Sequence, residues 1–219
     1  MVTIIQNDNR VPSGLCSSSG DVQLVRAYEQ QPFPAVHDLD AVIILGGYMS
    51  FDDDDQYRYL RTVKNFMAAV LDQDVPMLGI CLGAQMLADV LGSPVYHQRS
   101  QERGLSTIRL TEAGTKDPLF SGLPPTISAF QWHNDSFAIP DGATQLAYSA
   151  QCHAQAFQYH RAYAVQFHPE VTPAIVDEWC QHYGDCADIS SAFHSAYDHH
   201  SQQSRRLLHN FYPNSQLTA

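Results

Sequence analysis

"PMLGICLGAQ", Pro76 to Gln85, is the stretch from which the fold can be read. A mostly apolar run reads as a short buried strand and meets Cys81, with Gly79 two residues before it and Gly83 two after. Beyond it, Met86, Leu87, Val90 and Leu91 recur at helical spacing until Gly92, Ser93 and Pro94 stop the helix. A strand-to-helix turn with small residues around a nucleophile follows the elbow logic of G-x-S-x-G, here Gly79-Ile80-Cys81-Leu82-Gly83. The glycines let the chain turn sharply and let a substrate come close. The helix start aims free N–H groups and its positive end at the sulfur, which favours the thiolate, the nucleophilic form. The structural alternative is a small apolar residue packed at a strand end.

Working outward, "VTIIQ" (Val2 to Gln6) and "AVIILGG" (Ala41 to Gly47) are apolar on both faces. Such runs suit central parallel strands covered by helices. Asp52 to Asp55 are expected to open a helix, where the dipole favours negative charge. Leu60, Val63, Phe66, Met67, Val70 and Leu71 continue it at helical spacing. The second half is richer in strands: Thr107 to Thr111, Ile127 to Trp132, Gln145 to Ser149 and Ala162 to Phe167. Pro124-Pro125 and Asp141-Gly142 mark turns between them. Thr172 and Pro173 make an N-cap and first helical position, followed by a stripe of Ile175, Val176 and Trp179. A last helix is expected from about Ile189 to Phe211, with Ala192, Phe193, Ala196, Tyr197, Leu207 and Leu208 on one side. No repeat, low-complexity linker or composition break divides the chain. One α/β domain over residues 1–219 follows, a mostly parallel open sheet flanked by helices, with a helical C-terminal extension from about residue 186.

The 219 residues are enough for one sizeable core. Twelve basic against 23 acidic residues give a formal charge of -11, which argues against nucleic acid and anionic membranes as partners. No apolar run approaches the roughly 20 residues that span a bilayer. "MVTIIQNDNR" lacks the basic start and long apolar stretch of a signal peptide. The five cysteines, Cys16, Cys81, Cys152, Cys180 and Cys186, are odd in number and scattered, which fits a reducing, cytoplasmic setting.

A nucleophilic thiolate needs a proton carrier. "VQFHPEV" places His168 and Glu170 one proline apart. On extended chain, residues two apart point to the same side. Glu170 is then set to accept from one imidazole nitrogen and leave the other facing the sulfur.

"GICLGAQ" together with "QFHPE" resembles the class I glutamine amidotransferase family, in its stand-alone branch similar to the glutaminase domain of GMP synthase. The likeness runs from "DLDAVIILGG" through "QWHNDSFAIPDGA" to "VQFHPEVTP" and is far weaker before about Asp38 and after Cys186. It implies a flavodoxin-like sheet with an added antiparallel strand region and no cofactor. It implies that Cys81 attacks the side-chain carboxamide of glutamine, that His168 carries the proton to ammonia and that Glu170 orients His168. The backbone N–H groups of Gly47 and Leu82 would form the oxyanion hole, each such donor being worth roughly 3–4 kcal/mol. Gly46, Gln85, Trp132, Asn134 and Asp135 would meet the substrate, Asp135 through its α-ammonium. No metal is implied.

Two departures from the family pattern matter. "GGYMSFDDDD" puts Tyr48 and Met49 where relatives carry a glycine-rich turn with proline, so the pocket rim is expected to differ. The chain also lacks a G-x-x-x-x-G-K-[ST] loop and room for a synthetase domain. Either a separate synthetase subunit receives the ammonia, or the protein is a free-standing hydrolase of glutamine or of a γ-glutamyl amide or peptide. A non-catalytic binding protein on the same fold is the alternative of another class, and the joint presence of Cys81, His168 and Glu170 speaks against it. The tail residues Cys180, His182, Cys186, His194, His199, His200 and His209 fit no zinc spacing.

Overall fold

The structure is a computed structural model that describes residues 1–18, 21–184 and 186–212. The end of the expected domain beyond 212 lies outside the described residues. The strands, in chain order, are β1 (Val2–Gln6), β2 (Val22–Arg26), β3 (Ala41–Ile44), β4 (Met77–Ile80), β5 (Val95–Tyr96), β6 (Glu102–Leu110), β7 (Thr126–His133), β8 (Ser136–Phe137), β9 (Thr144–Tyr148), β10 (Ala156–Tyr159) and β11 (Ala162–Val165). The helices are α1 (Tyr59–Asp72), α2 (Leu82–Val90), α3 (Glu112–Lys116), α4 (Pro173–Tyr183) and α5 (Ala187–Phe211).

One sheet runs in the order β2-β1-β3-β4-β11-β10-β9-β6-β7. The strands from β2 to β11 pair in parallel, and the rest continue antiparallel from β10 to β7. β5 and β8 form a separate two-stranded ribbon. Alternation along a strand sends successive side chains to opposite faces. On β3, Val42 and Ile44 therefore join Leu60, Met67 and Leu87 beneath α1 and α2. Ile43 and Leu45 join Leu207, Leu208 and Phe211 beneath α5. Each such side chain, fully buried, contributes roughly 1.5–3 kcal/mol. The double cover is why the central strands read as unbroken apolar runs.

Several local expectations change. Asp53–Asp55 form a 3-10 turn, and α1 begins only at Tyr59. The reason is local: the Asp53 carboxylate accepts from the Ser50 N–H at 2.8 Å and closes a turn, while Asp54 pairs with Lys64 at 3.3 Å. β6 reaches back to Glu102 because β7 pairs with it over eight positions, overriding the charged "ERG" start. β2 and β10 carry no signal strong enough to predict them. β10 joins β11 through His160-Arg161, a two-residue turn without the Asn-Gly or Asp-Gly chemistry that marks such hairpins. On α5 the buried stripe includes His200 and Ser204, whereas Ala192 is exposed. Cys180 and Cys186, six residues apart across the turn from α4 to α5, are disulfide-bonded. That turn brings their Cα atoms to 5.4 Å, which sequence spacing alone does not reveal. Cys16, Cys81 and Cys152 are free and buried. Among the described residues, no helix is long and apolar enough to cross a membrane.

Candidate active site

Cys81 occupies the corner between β4 and α2 with φ 52° and ψ -109°. A non-glycine residue held at positive φ costs of order 1–3 kcal/mol and persists only where its surroundings fix it. Here the Cys81 N–H donates to the Val165 carbonyl at 2.9 Å, and its own carbonyl accepts from Gln85 N–H at 3.0 Å. The flanking glycines serve close packing. A Cβ on Gly79 would lie 2.6 Å from the Gly83 carbonyl oxygen, and one on Gly83 would lie 2.2 Å from that of Ile44. Strand, corner and helix therefore nest backbone to backbone, and the thiol is left at the head of the helix.

His168 and Glu170 lie beyond the end of β11, the strand that pairs with β4. The His168 N–H donates to the Phe130 carbonyl at 2.8 Å, and the Glu170 carbonyl accepts from Leu15 N–H at 2.8 Å. His168 Nδ1 is 2.6 Å from Glu170 Oε1, both side chains being buried. The Trp179 ring meets the imidazole edge-on at 5.0 Å. His168 Nε2 has no hydrogen-bond partner among the described residues. Burial opposes charge on this imidazole, but the Glu170 carboxylate and then the Cys81 sulfur outweigh it and push its pKa up to about 10. The structure thus brings together the three residues that the motifs single out. Gly46 lies between them: a Cβ there would sit 3.4 Å from Cys81 Cβ and 3.5 Å from His168 Cε1.

Gly47 abuts Leu82, its absent Cβ being 2.9 Å from Leu82 Cδ2. Among the described residues neither of their N–H groups donates to a protein acceptor. Leu82 opens α2, where N–H groups have no intrahelical partner. Two free donors thus sit beside the thiol. Asp8 braces this strand end: its carboxylate takes three bonds from Arg10 and one, at 3.4 Å, from Tyr48 N–H. Burial opposes ionisation of Asp8, but the Arg10 bonds outweigh it and hold the carboxyl below its usual range.

Four of the five expected substrate contacts gather around a cavity of about 110 Å³ that reaches Cys81 and His168, and Gly46 is not among its lining residues. Gln85, Trp132, Asn134 and Asp135 all line it. Gln85 is buried and donates to Gln166 Oε1 at 3.3 Å and to the Asp135 carbonyl at 3.4 Å. Asp135 is not a free carboxylate. Its Oδ1 accepts from Gln98 N–H and its Oδ2 from Ser50 Oγ, both at 3.0 Å, tying two loops together. Trp132 packs against Trp179 at 5.9 Å and Tyr183 at 5.5 Å.

Tyr48 lines the rim: it stacks on Tyr183 at 5.3 Å, with the Arg10 guanidinium 4.1 Å from its ring centre. Arg103, Tyr183 and Trp179 also line the cavity and escape motif reading. Trp179 reads only as part of an apolar helix stripe, and Arg103 sits in "QERG", which carries no motif. Buried beneath the cavity, His133 Nε2 lies 3.3 Å from Glu102 Oε2, and Glu102 also accepts from Ser149 and Gln155. A carboxylate at the polar start of a strand gives no sequence sign of burial.

Residues 5–178 match the glutamine amidotransferase class-I family, and the chain belongs to it. It is 31% identical over 153 residues to a glutamine amidotransferase-like protein, YfeJ, of Salmonella typhimurium, covering 68% of this chain and 64% of that one. It is 34% identical over 137 residues to one subunit of the glutamine-hydrolysing GMP synthase of Thermoplasma acidophilum, covering 61% of this chain and 64% of that one. The match thus spans less than two thirds of either relative's length. Among solved structures, a glutamine amidotransferase of Thermotoga maritima superposes with a TM-score of 0.87 at 25% identity, over 96% of both chains.

Proposed function

We propose that the chain hydrolyses the side-chain amide of glutamine or of a γ-glutamyl compound through a thioester on Cys81. The observation that carries this reading is the buried His168–Glu170 pair at 2.6 Å, with Nε2 left unpartnered and the pKa raised in part by the Cys81 sulfur. The Cys81 thiolate attacks the amide carbon, and the oxygen takes up negative charge against the N–H groups of Gly47 and Leu82. The C–N bond breaks as protonated His168 gives its proton to the leaving nitrogen, which departs as ammonia or an amine. His168, now neutral, takes a proton from water as the hydroxyl adds to the thioester. The C–S bond then breaks, and glutamate leaves. Glu170 fixes the imidazole orientation and balances its charge.

The GMP synthase subunit among the relatives supports a second component of the reading: ammonia made here passes to a separate synthetase protein. The catalytic reading is tested by intact mass after exposure to a glutamine-mimicking electrophile. One adduct on the wild-type chain and none on Cys81→Ser is expected, together with ammonia release from glutamine by the wild type alone. An equal adduct on both chains overturns the assignment of Cys81.

A further inference from the structure

We infer that Arg103 is the residue that recognises a carboxylate on the acyl donor, a reading that rests on the proposed γ-glutamyl chemistry and adds a specificity determinant to it. The basic, acidic and imidazole side chains lining the cavity are Arg103, His133, Asp135 and His168. His168 is committed to Glu170, and His133 lies between Glu102 and the Asp135 carbonyl. Both Asp135 oxygens already accept hydrogen bonds. The Arg103 side chain has neither a hydrogen bond nor an ion pair among the described residues. Arg10, on the same rim, is engaged by Asp8. Among the described residues, and apart from His168, whose Nε2 is given to the reaction, Arg103 is the charged side chain of the cavity left without a hydrogen-bond or ion-pair partner, and its charge is positive.

Its placement suits recognition. The Arg103 guanidinium carbon lies 5.8 Å from the Trp132 ring centre and 5.6 Å from that of Tyr183. The two rings hold the group through their faces and consume none of its N–H donors. A planar fork with free donors, held at the mouth of a cavity that reaches the thiol, matches a carboxylate bidentately. The chain as a whole carries a formal charge of -11, so an unpaired cation at this point stands out against a net negative background. Two donor carboxylates share this chemistry: the α-carboxylate of the glutamyl unit, and the carboxylate of an amino acid joined to it as the leaving amine.

Two matched pairs of probes separate the sources, each titrated calorimetrically into Cys81→Ala and into the same chain carrying Arg103→Met or Arg103→Lys. The first pair is glutamine and glutamine α-amide. The second is γ-glutamylglycine and γ-glutamylmethylamide. Arg103→Met should weaken the carboxylate member of one pair by about 10–100-fold and leave the partner that lacks that carboxylate within about twofold, with lysine restoring only part of the loss. Selective loss of the carboxylate member in the first pair, with equal loss across the second, assigns the α-carboxylate; selective loss in the second pair, with none in the first, assigns the leaving group. Selective loss in neither pair overturns the role of Arg103 while the Cys81 adduct still stands. Failure of every probe to bind, with no adduct, removes the γ-glutamyl reading itself and Arg103 with it. Matching melting temperatures for the Arg103 variants confirm that the comparison is between folded chains.

Discussion

Gly83→Ala tests whether the corner is built as described. The new methyl carbon would lie 2.2 Å from the Ile44 carbonyl oxygen and 2.9 Å from its carbon, against an ordinary contact of at least 3.4 Å. Both sides of this contact are backbone, so no rotamer can relieve it. Either α2 moves away from β3 by about 1 Å or β3 bends. Overpacking of this kind costs typically 1–3 kcal/mol, and the rigidity of both partners puts it near the upper end. In a chain of this size about 3 kcal/mol lowers the melting temperature by roughly 6–12 °C. The same shift carries Cys81 and the Leu82 N–H away from Gly47, and a displacement of about 1 Å in reacting groups costs on the order of 100-fold in kcat. Thermal melting and ammonia release are measured on this variant and on Gly92→Ala, whose Cβ would have nothing within 4 Å although its φ is +76°. Gly92→Ala should lose some stability through its backbone alone and keep its kcat. A Gly83→Ala protein that melts within about 1 °C of wild type and turns over at the wild-type rate would refute the nested corner.

Three further variants test other parts of the site and fold. Glu170→Gln removes the charge that holds the imidazolium, and glutamine turnover at neutral pH should fall by about 10²–10⁴-fold. His168 is raised from 6.5 to about 10, so its stabilising contribution is full below about pH 6.5 and lost as pH rises through about 10. Melting curves of Glu170→Gln should lose most of that alkaline dependence, and retention of the wild-type profile would assign it elsewhere. His200 is buried, with Nε2 at 3.2 Å from Ser204 Oγ, and burial pushes its pKa down from 6.5 to about 4. Its neutral form is favoured in the fold, so stability present above about pH 6.5 drains away as pH falls towards 4. His200→Leu should flatten that acid limb of the stability curve, and an unchanged limb counts against it. Gly47→Ala keeps the backbone N–H but adds a methyl at the cavity wall that first meets the flexible ends of Leu82 and Met49, at 2.9 and 3.0 Å, so the fold should hold while crowding beside the reacting atoms lowers kcat by about 10²-fold. Unchanged turnover would count against a close approach of the substrate at Gly47.

What the sequence made legible depended on whether a residue's role was local. The corner at Cys81 and the spacing of His168 and Glu170 are short-range patterns, and the central strands announce themselves because both faces are buried. The rim was opaque for a different reason. Arg103 comes from β6, Tyr183 from the end of α4 and Tyr48 from the loop after β3, and only the antiparallel half of the sheet and the turn into α5 bring them to one mouth. The same holds for Asp135, which reads as a free carboxylate until Ser50 and Gln98, 85 and 37 residues away, are seen to occupy its oxygens. Chemistry common to a family can be carried by compact motifs, because a nucleophile and its base tolerate little displacement. Choice of substrate is left to side chains on separate elements, which can vary one at a time without disturbing the corner. On the proposed reading of Arg103, that division puts the choice between a glutaminase and a broader γ-glutamyl hydrolase at the Arg103–Trp132–Tyr183 mouth, of which the motif resemblance marks only Trp132.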